Sequence, residues 1–197
     1  MQSVVRMRRR WLATSALALA LALALALAIA TESGMAAGSG AGSQADAAVK
    51  AAFLYNFAKF AEWTALPPAA PIIACIIGDD EVAAALVEIV RGQTIGGHTL
   101  SVWRPEAANA WHTCHLLFIP AAEIRKGAAR LGVLKTTPVL TVSDRKGFAE
   151  SDGIIELYVE GGQVRFAINV DALERSGVRL SARLLGLAKI IRGGHVQ

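Results

Sequence analysis

The stretch Ile72-Ile73-Ala74-Cys75-Ile76-Ile77-Gly78-Asp79-Asp80-Glu81-Val82-Ala83-Ala84-Ala85-Leu86-Val87-Glu88-Ile89-Val90 decides the fold class. Its first six residues are apolar without alternation and stop at Gly78, the pattern of a strand buried on both faces. Asp79 and Asp80 then open a helix whose inner face is Val82, Leu86, Ile89 and Val90. A doubly covered strand followed by an amphipathic helix is the building unit of an α/β domain.

The pattern continues on both sides. Upstream, Asp46 to Trp63 reads as a helix with Val49, Ala52, Phe53, Phe57, Phe60 and Ala61 at helical spacing, and Pro67, Pro68 and Pro71 break the chain after it. Downstream, strands are expected at Thr99 to Arg104, Cys114 to Ile119 and Val139 to Val142. A helix is expected from Ala121 to Leu131, and a loop from Asp144 to Gly153. Ile154 to Val159 and Gln163 to Val170 alternate in period two around Gly161-Gly162, a hairpin signature. A helical turn at Asp171 to Arg175 and a Ser181-capped helix to Ile191 close the chain. The expected fold is one α/β domain, a mixed sheet flanked by helices, ending in a β-hairpin and a helix.

The N-terminus carries a different message. Arg6, Arg8, Arg9 and Arg10 precede an Ala/Leu run from Trp11 to Ala30, an export signal of basic and apolar regions. Cleavage is expected after Ala30, or as late as Ala37. The run of roughly 19 residues also approaches the ~20 that span a bilayer, so an uncleaved membrane anchor is the alternative. Residues 31–45, rich in Gly, Ala and Ser, read as a flexible linker, and 46–193 as the folded domain. The chain has 20 basic and 16 acidic residues, net +4. Removing the four signal arginines leaves 16 against 16, so the basic balance gives no support for nucleic-acid binding.

Export bears on Cys75 and Cys114, both in apolar runs. An oxidising compartment favours a disulfide between them, the alternative being two buried free thiols. On the chain-entropy model, closing a loop of about 40 residues stabilises by roughly 4 kcal/mol.

Catalytic and metal motifs are weak. His112-x-x-His115 beside Cys114 lacks the further ligands a zinc site needs, and a Cys–His dyad lacks an orienting third group. Asp79-Asp80-Glu81 reads as helix capping, and Gly92, Gly96 and Gly97 are too irregular for a phosphate loop. Ser143 and Asp144 follow a strand, where open α/β sheets place ligand crevices, against a plain turn-forming role. Among the aromatics, Tyr55 and Trp63 on the first helix, and Trp103 and Trp111 around a polar loop, are candidate partner-binding anchors.

Several strings together resemble the YfiR family of periplasmic proteins. They are Val49-Lys50-Ala51-Ala52-Phe53-Leu54-Tyr55-Asn56-Phe57-Ala58-Lys59-Phe60 with Trp63, Cys114-His115-Leu116-Leu117-Phe118-Ile119, Val139-Leu140-Thr141-Val142-Ser143-Asp144 with Gly147-Phe148-Ala149, Val164-Arg165-Phe166-Ala167-Ile168-Asn169, and Ser181-Ala182-Arg183-Leu184-Leu185. The resemblance covers about Ala47 to Arg192. It implies a periplasmic, non-enzymatic α/β domain, often a homodimer; no cofactor or metal is expected from the residues. It also implies a partner, the periplasmic region of an inner-membrane diguanylate cyclase whose cyclic di-GMP output it represses, and allows sequestration by an outer-membrane lipoprotein. It supports a Cys75–Cys114 bridge, while the second cysteine pair of the best-known members is missing here. The rival reading is a periplasmic module that senses a small ligand near Ser143 and Asp144.

Overall fold

The computed structural model of the protein describes residues 37–64, 66–106 and 108–192. The signal and anchor readings of 1–30 lie outside these residues. From Gln44 onward the chain forms one compact unit.

Helix α1 (Ala37–Phe60) starts well before the expected Asp46, so 37–45 are helical rather than linker. That segment contains no proline, and a helix already nucleated gains a hydrogen bond with each further residue. The buried stripe is Ala47, Ala51, Leu54, Phe57, Ala58 and Ala61, with Phe53, Tyr55 and Phe60 packed beside it. It is rotated from the expected stripe, and Val49 faces outward at 40% exposure. Ala51 and Ala58 are fully buried in this stripe, and Phe53 and Phe57 pack against Phe166 with ring centroids 5.9 and 5.2 Å apart.

After β1 (Ala61–Glu62) come β2 (Ile72–Ile76), α2 (Asp80–Val90), β3 (Thr94–Ile95) and β4 (His98–Trp103). A 3₁₀ turn (Ala108–Thr113) leads to β5 (Leu116–Phe118), α3 (Ala121–Leu134) and β6 (Leu140–Ser143). Then follow β7 (Ile155–Glu160), β8 (Gln163–Asn169), α4 (Val170–Ser176), β9 (Arg179–Leu180), α5 (Ala182–Leu185) and β10 (Lys189–Ile191). The main sheet has the order β10-β8-β7-β6-β5-β2-β4-β3. Strands β4, β2, β5, β6 and β7 run parallel; β8 is antiparallel to β7, β10 parallel to β8, and β3 antiparallel to β4. The expected mixed α/β sheet is therefore present.

Doubly covered strands divide their side chains as period two requires. Ile72, Ala74 and Ile76 join Leu116 and Phe118 against α1 and α2. Cys75, Leu117 and Ile119 face the other way, against Trp111, Ile124 and Leu134. The chain moves from β2 to β4 on one side and from β5 to β6 on the other, so α2 and α3 lie on opposite faces. Asp79 caps α2 by accepting the Val82 N–H at 3.0 Å.

Two further expectations need correction. The helix read from Ser181 to Ile191 ends at Leu185: Gly186 stops it, and Lys189–Ile191 instead pairs in parallel with Ala167–Asn169 at the sheet edge. Cys114 precedes β5 rather than lying in it. The small pairs β1–β9 and β3–β4 are too short to carry a periodic signal. The β7–β8 hairpin is as expected, with Gly161 and Gly162 at φ +59° and +74°, the left-handed pair a two-residue type I′ turn demands.

Candidate functional site

Cys75 and Cys114 form a disulfide, with Cα atoms 5.8 Å apart, tying β2 to the end of the 3₁₀ turn. Both residues are buried, at 0% and 2% exposure, so the bond braces the core out of reach of external thiols.

The Ser143–Asp144 corner is built differently from a ligand crevice. Ser143 is fully buried; its Oγ donates to the Ile119 carbonyl (2.6 Å) and accepts from the Arg145 N–H (3.1 Å). Asp144 Oδ1 accepts the Ala121 N–H at 2.7 Å, capping α3, whose own N-cap Pro120 offers no side-chain acceptor. Asp144 Oδ2 meets Lys50 Nζ at 2.7 Å, and the same ammonium reaches Asp46 at 2.6 Å. Burial works to lower the Lys50 pKa, but the bonds and attraction of Asp144 and Asp46 outweigh it and leave the pKa raised. Asp144 thus clamps α1, α3 and the loop after β6 together, and Ser143 holds the turn. Both side chains are engaged within the fold.

A groove of about 430 Å³ does open beside this corner, with Asp144 at its rim and Lys146, Glu150, Glu156, Tyr158 and Lys189 among its walls. Its floor is a cross-strand row in which Glu156 of β7, Ala167 of β8 and Lys189 of β10 stand in register. The methyl group of Ala167 leaves the depression between a carboxylate and an ammonium. Glu156 is held in place by the Ala149 N–H on Oε2 (3.1 Å). These residues escaped the sequence reading, although Glu156 and Tyr158 alternate with the core residues of β7.

The four aromatic candidates separate by position. Trp63 and Trp111 are 8% and 5% exposed and belong to the core, which corrects their reading as surface anchors. Trp63 packs in the main core and Trp111 in the cluster around the disulfide, and sequence cannot tell such buried rings from exposed ones. Tyr55 is half-buried against the main core. Trp103 is on the surface at 43% exposure, matched by Val87 at 43%. Val102 and Val87 join Trp103 in one shallow depression. Here β4 is a partly open edge, paired by β3 only at Thr94↔Thr99 and Ile95↔His98.

His115 lies between β2 and Trp63. Its Nδ1 accepts the Ile73 N–H at 3.0 Å, and its ring stands edge-on to Trp63 with centroids 5.6 Å apart. Burial, and secondarily the charge of His98, hold its pKa below the usual 6.5. His112 is exposed, and Cys114 is spent in the disulfide, so the two histidines share no cysteine ligand. Among the described residues no group of His, Cys, Asp and Glu is placed to hold a metal, and no helix is long and apolar enough to cross a membrane.

A solved structure, a conserved domain protein from Vibrio cholerae O1 biovar El Tor strain N16961, matches with a TM-score of 0.40 and 12% identity. The match covers 62% of this chain and 55% of that one, so the chain spans about half of that protein's length. A match to the YfiR/HmsC-like family runs over residues 47–189, from the core-facing part of α1 to the start of β10. Because that match takes in nearly the whole compact unit, the chain belongs to the YfiR/HmsC-like family, a family of periplasmic regulators.

Proposed function

We propose that this protein is exported by its segment 1–30 and acts in the periplasm, without catalysis, on the periplasmic region of an inner-membrane diguanylate cyclase. Bound there, it holds the enzyme in its inactive state and lowers cyclic di-GMP; an outer-membrane lipoprotein that sequesters it would relieve the repression. The observation that carries this reading is the family match over residues 47–189. Repression by population shift requires tighter binding to the inactive state, about 1.4 kcal/mol for each tenfold shift. A folded domain near charge balance has little long-range steering, so apolar anchors supply the affinity. Trp103 with Val87 beside the open part of β4 is the surface that suits this role. The protein acts as a homodimer in this reading.

Deleting the gene is expected to raise cyclic di-GMP and surface attachment, and crosslinking across the periplasm and inner membrane to capture a cyclase. Trp103→Ala is expected to cost about 2 kcal/mol of partner affinity, as a central aromatic anchor does, with the melting temperature unchanged. Unaltered cyclic di-GMP in the deletion strain overturns the reading.

The groove with the Glu156–Ala167–Lys189 floor favours a second reading, a sensor for a small polar molecule. A ligand held there would raise the melting temperature with concentration, and Lys189→Ala would abolish the rise.

A further inference from the structure

The chain entering β2 is held by two imidazoles with opposite hydrogen-bond roles. His98 of β4 places Nδ1 2.8 Å from the Ala70 carbonyl. A carbonyl can only accept, so this nitrogen carries a proton. His115 takes the Ile73 N–H on Nδ1 at 3.0 Å, and an N–H can only donate, so this nitrogen carries none. The His98 bond survives protonation of its ring. The His115 bond exists only while the ring is neutral.

As far as Pro71 the clipped segment has few other backbone bonds; beyond it, Ile72 and Ile73 pair with Leu100 and Ser101 of β4, and the Ile73 carbonyl accepts the His115 N–H at 2.8 Å. Pro67, Pro68 and Pro71 have no N–H to donate, and its local backbone bonds are Leu66 N–H to the Trp63 carbonyl and Ala70 N–H to the Pro67 carbonyl. Ala69 sits at φ +63°, a left-handed conformation that alanine keeps only under constraint. Trp63 rests on the His115 ring, and its indole N–H has no protein acceptor among the described residues, so unseating it forfeits no protein hydrogen bond.

We propose that His115 is an acid-sensitive latch: a proton taken on Nδ1 breaks the Ile73 N–H bond at the start of β2 and presents the Trp63 indole to solvent, while His98 keeps Ala70 and β4 keeps Ile72 and Ile73. The groups facing the ring do nothing to offset the new charge. Trp63 offers an indole, β2 offers the Ile73 N–H, and the titratable neighbour, His98, acts to lower the His115 pKa. Among the described residues the causes of the His115 shift are burial and His98, with no carboxylate among them. Opening returns the ring to water and its ordinary basicity, so acidification favours the open form by up to about tenfold per pH unit between the two pKa values. Porins leave aqueous channels in the outer membrane, so a periplasmic domain experiences the pH of the medium.

The test is amide exchange at Ile73, corrected for intrinsic rate, with the His115 imidazole followed by NMR in the exported protein from about pH 7.5 to about pH 4.5. Ile73 protection is expected to fall together with His115 protonation, and Trp63 emission to shift to the red. His115→Asn, whose Oδ1 accepts from an N–H and does not titrate, is expected to keep protection flat. Unchanged protection in the wild-type protein, or the same loss in His115→Asn, overturns the latch. If His115→Asn does not fold, the wild-type curves decide: protection lost at a pH away from the His115 midpoint overturns it equally.

Discussion

Asp144 spends both carboxyl oxygens inside the protein, one on the N-terminus of α3 and one on Lys50, 94 residues earlier in the chain. Asp144→Ala should therefore destabilise the fold. The lost cap contributes about 1 kcal/mol and the lost charged bond to a half-buried lysine about 1–2 kcal/mol, so urea denaturation should report a total of about 2–3 kcal/mol. Gly153 is constrained by packing rather than by φ: a Cβ there would lie 2.2 Å from the Phe148 ring. Gly153→Ala is expected to cost about 1–3 kcal/mol as Phe148 is forced off its rotamer, measurable in the same assay. His115 makes stability depend on pH. Its folded pKa lies below the usual 6.5, so the unfolded chain binds the proton first. Its contribution is fully present above about pH 6.5 and declines as pH falls toward the folded value. A stability profile that stays flat through that window would contradict this assignment.

At the scale of elements, the disulfide and the two ends of the sheet matter most. The Cys75–Cys114 bond closes a separation of 39 residues and ties β2 to the turn that leads into β5. The Cys75→Ser/Cys114→Ser double variant is expected to lose roughly 4 kcal/mol in denaturation while still binding its partner, since the bond is buried and braces the scaffold. Strand β10 lies at one edge, and its identity shows a competition between local and tertiary preferences. Leu184 to Ile191 has an apolar pattern a helix could use, but Gly186 interrupts it, and the open edge of β8 offers hydrogen bonds that a helix continuing alone would not match. At the other edge, β3 covers only two residues of β4, leaving the Trp103 end as open edge beside apolar side chains. Open edges of this kind recruit other chains.

For the whole molecule, the α/β class and most element positions were legible because burial on two faces, helix caps and glycine turns are written within a few residues of each other. The Ile72–Ile76 strand, α2 with its Asp79 cap and the Gly161-Gly162 hairpin all follow from such local patterns. The candidate site was less legible. Tyr55, Trp63, Trp103 and Trp111 are alike as sequence, yet only Trp103 is substantially exposed. The position of Ser143 and Asp144 after a strand points to a crevice, and Asp144 does line the open groove, but Glu156, Tyr158 and Lys189, which line it too, carry no such local signal. Which aromatic is buried and which polar residue is a wall depends on what lies opposite, and that is set by segments far apart in the chain.

The amino-acid sequence by itself determined the alternation of helix and strand, the double burial of the central strands and the family to which the chain belongs, because each is carried by residue type and short-range spacing. Only the tertiary structure decided that Lys50 meets Asp144, that His115 must stay neutral for Ile73, and that Lys189–Ile191 is a strand. Those outcomes depend on register between elements tens of residues apart, where burial and hydrogen-bond satisfaction are settled jointly rather than residue by residue.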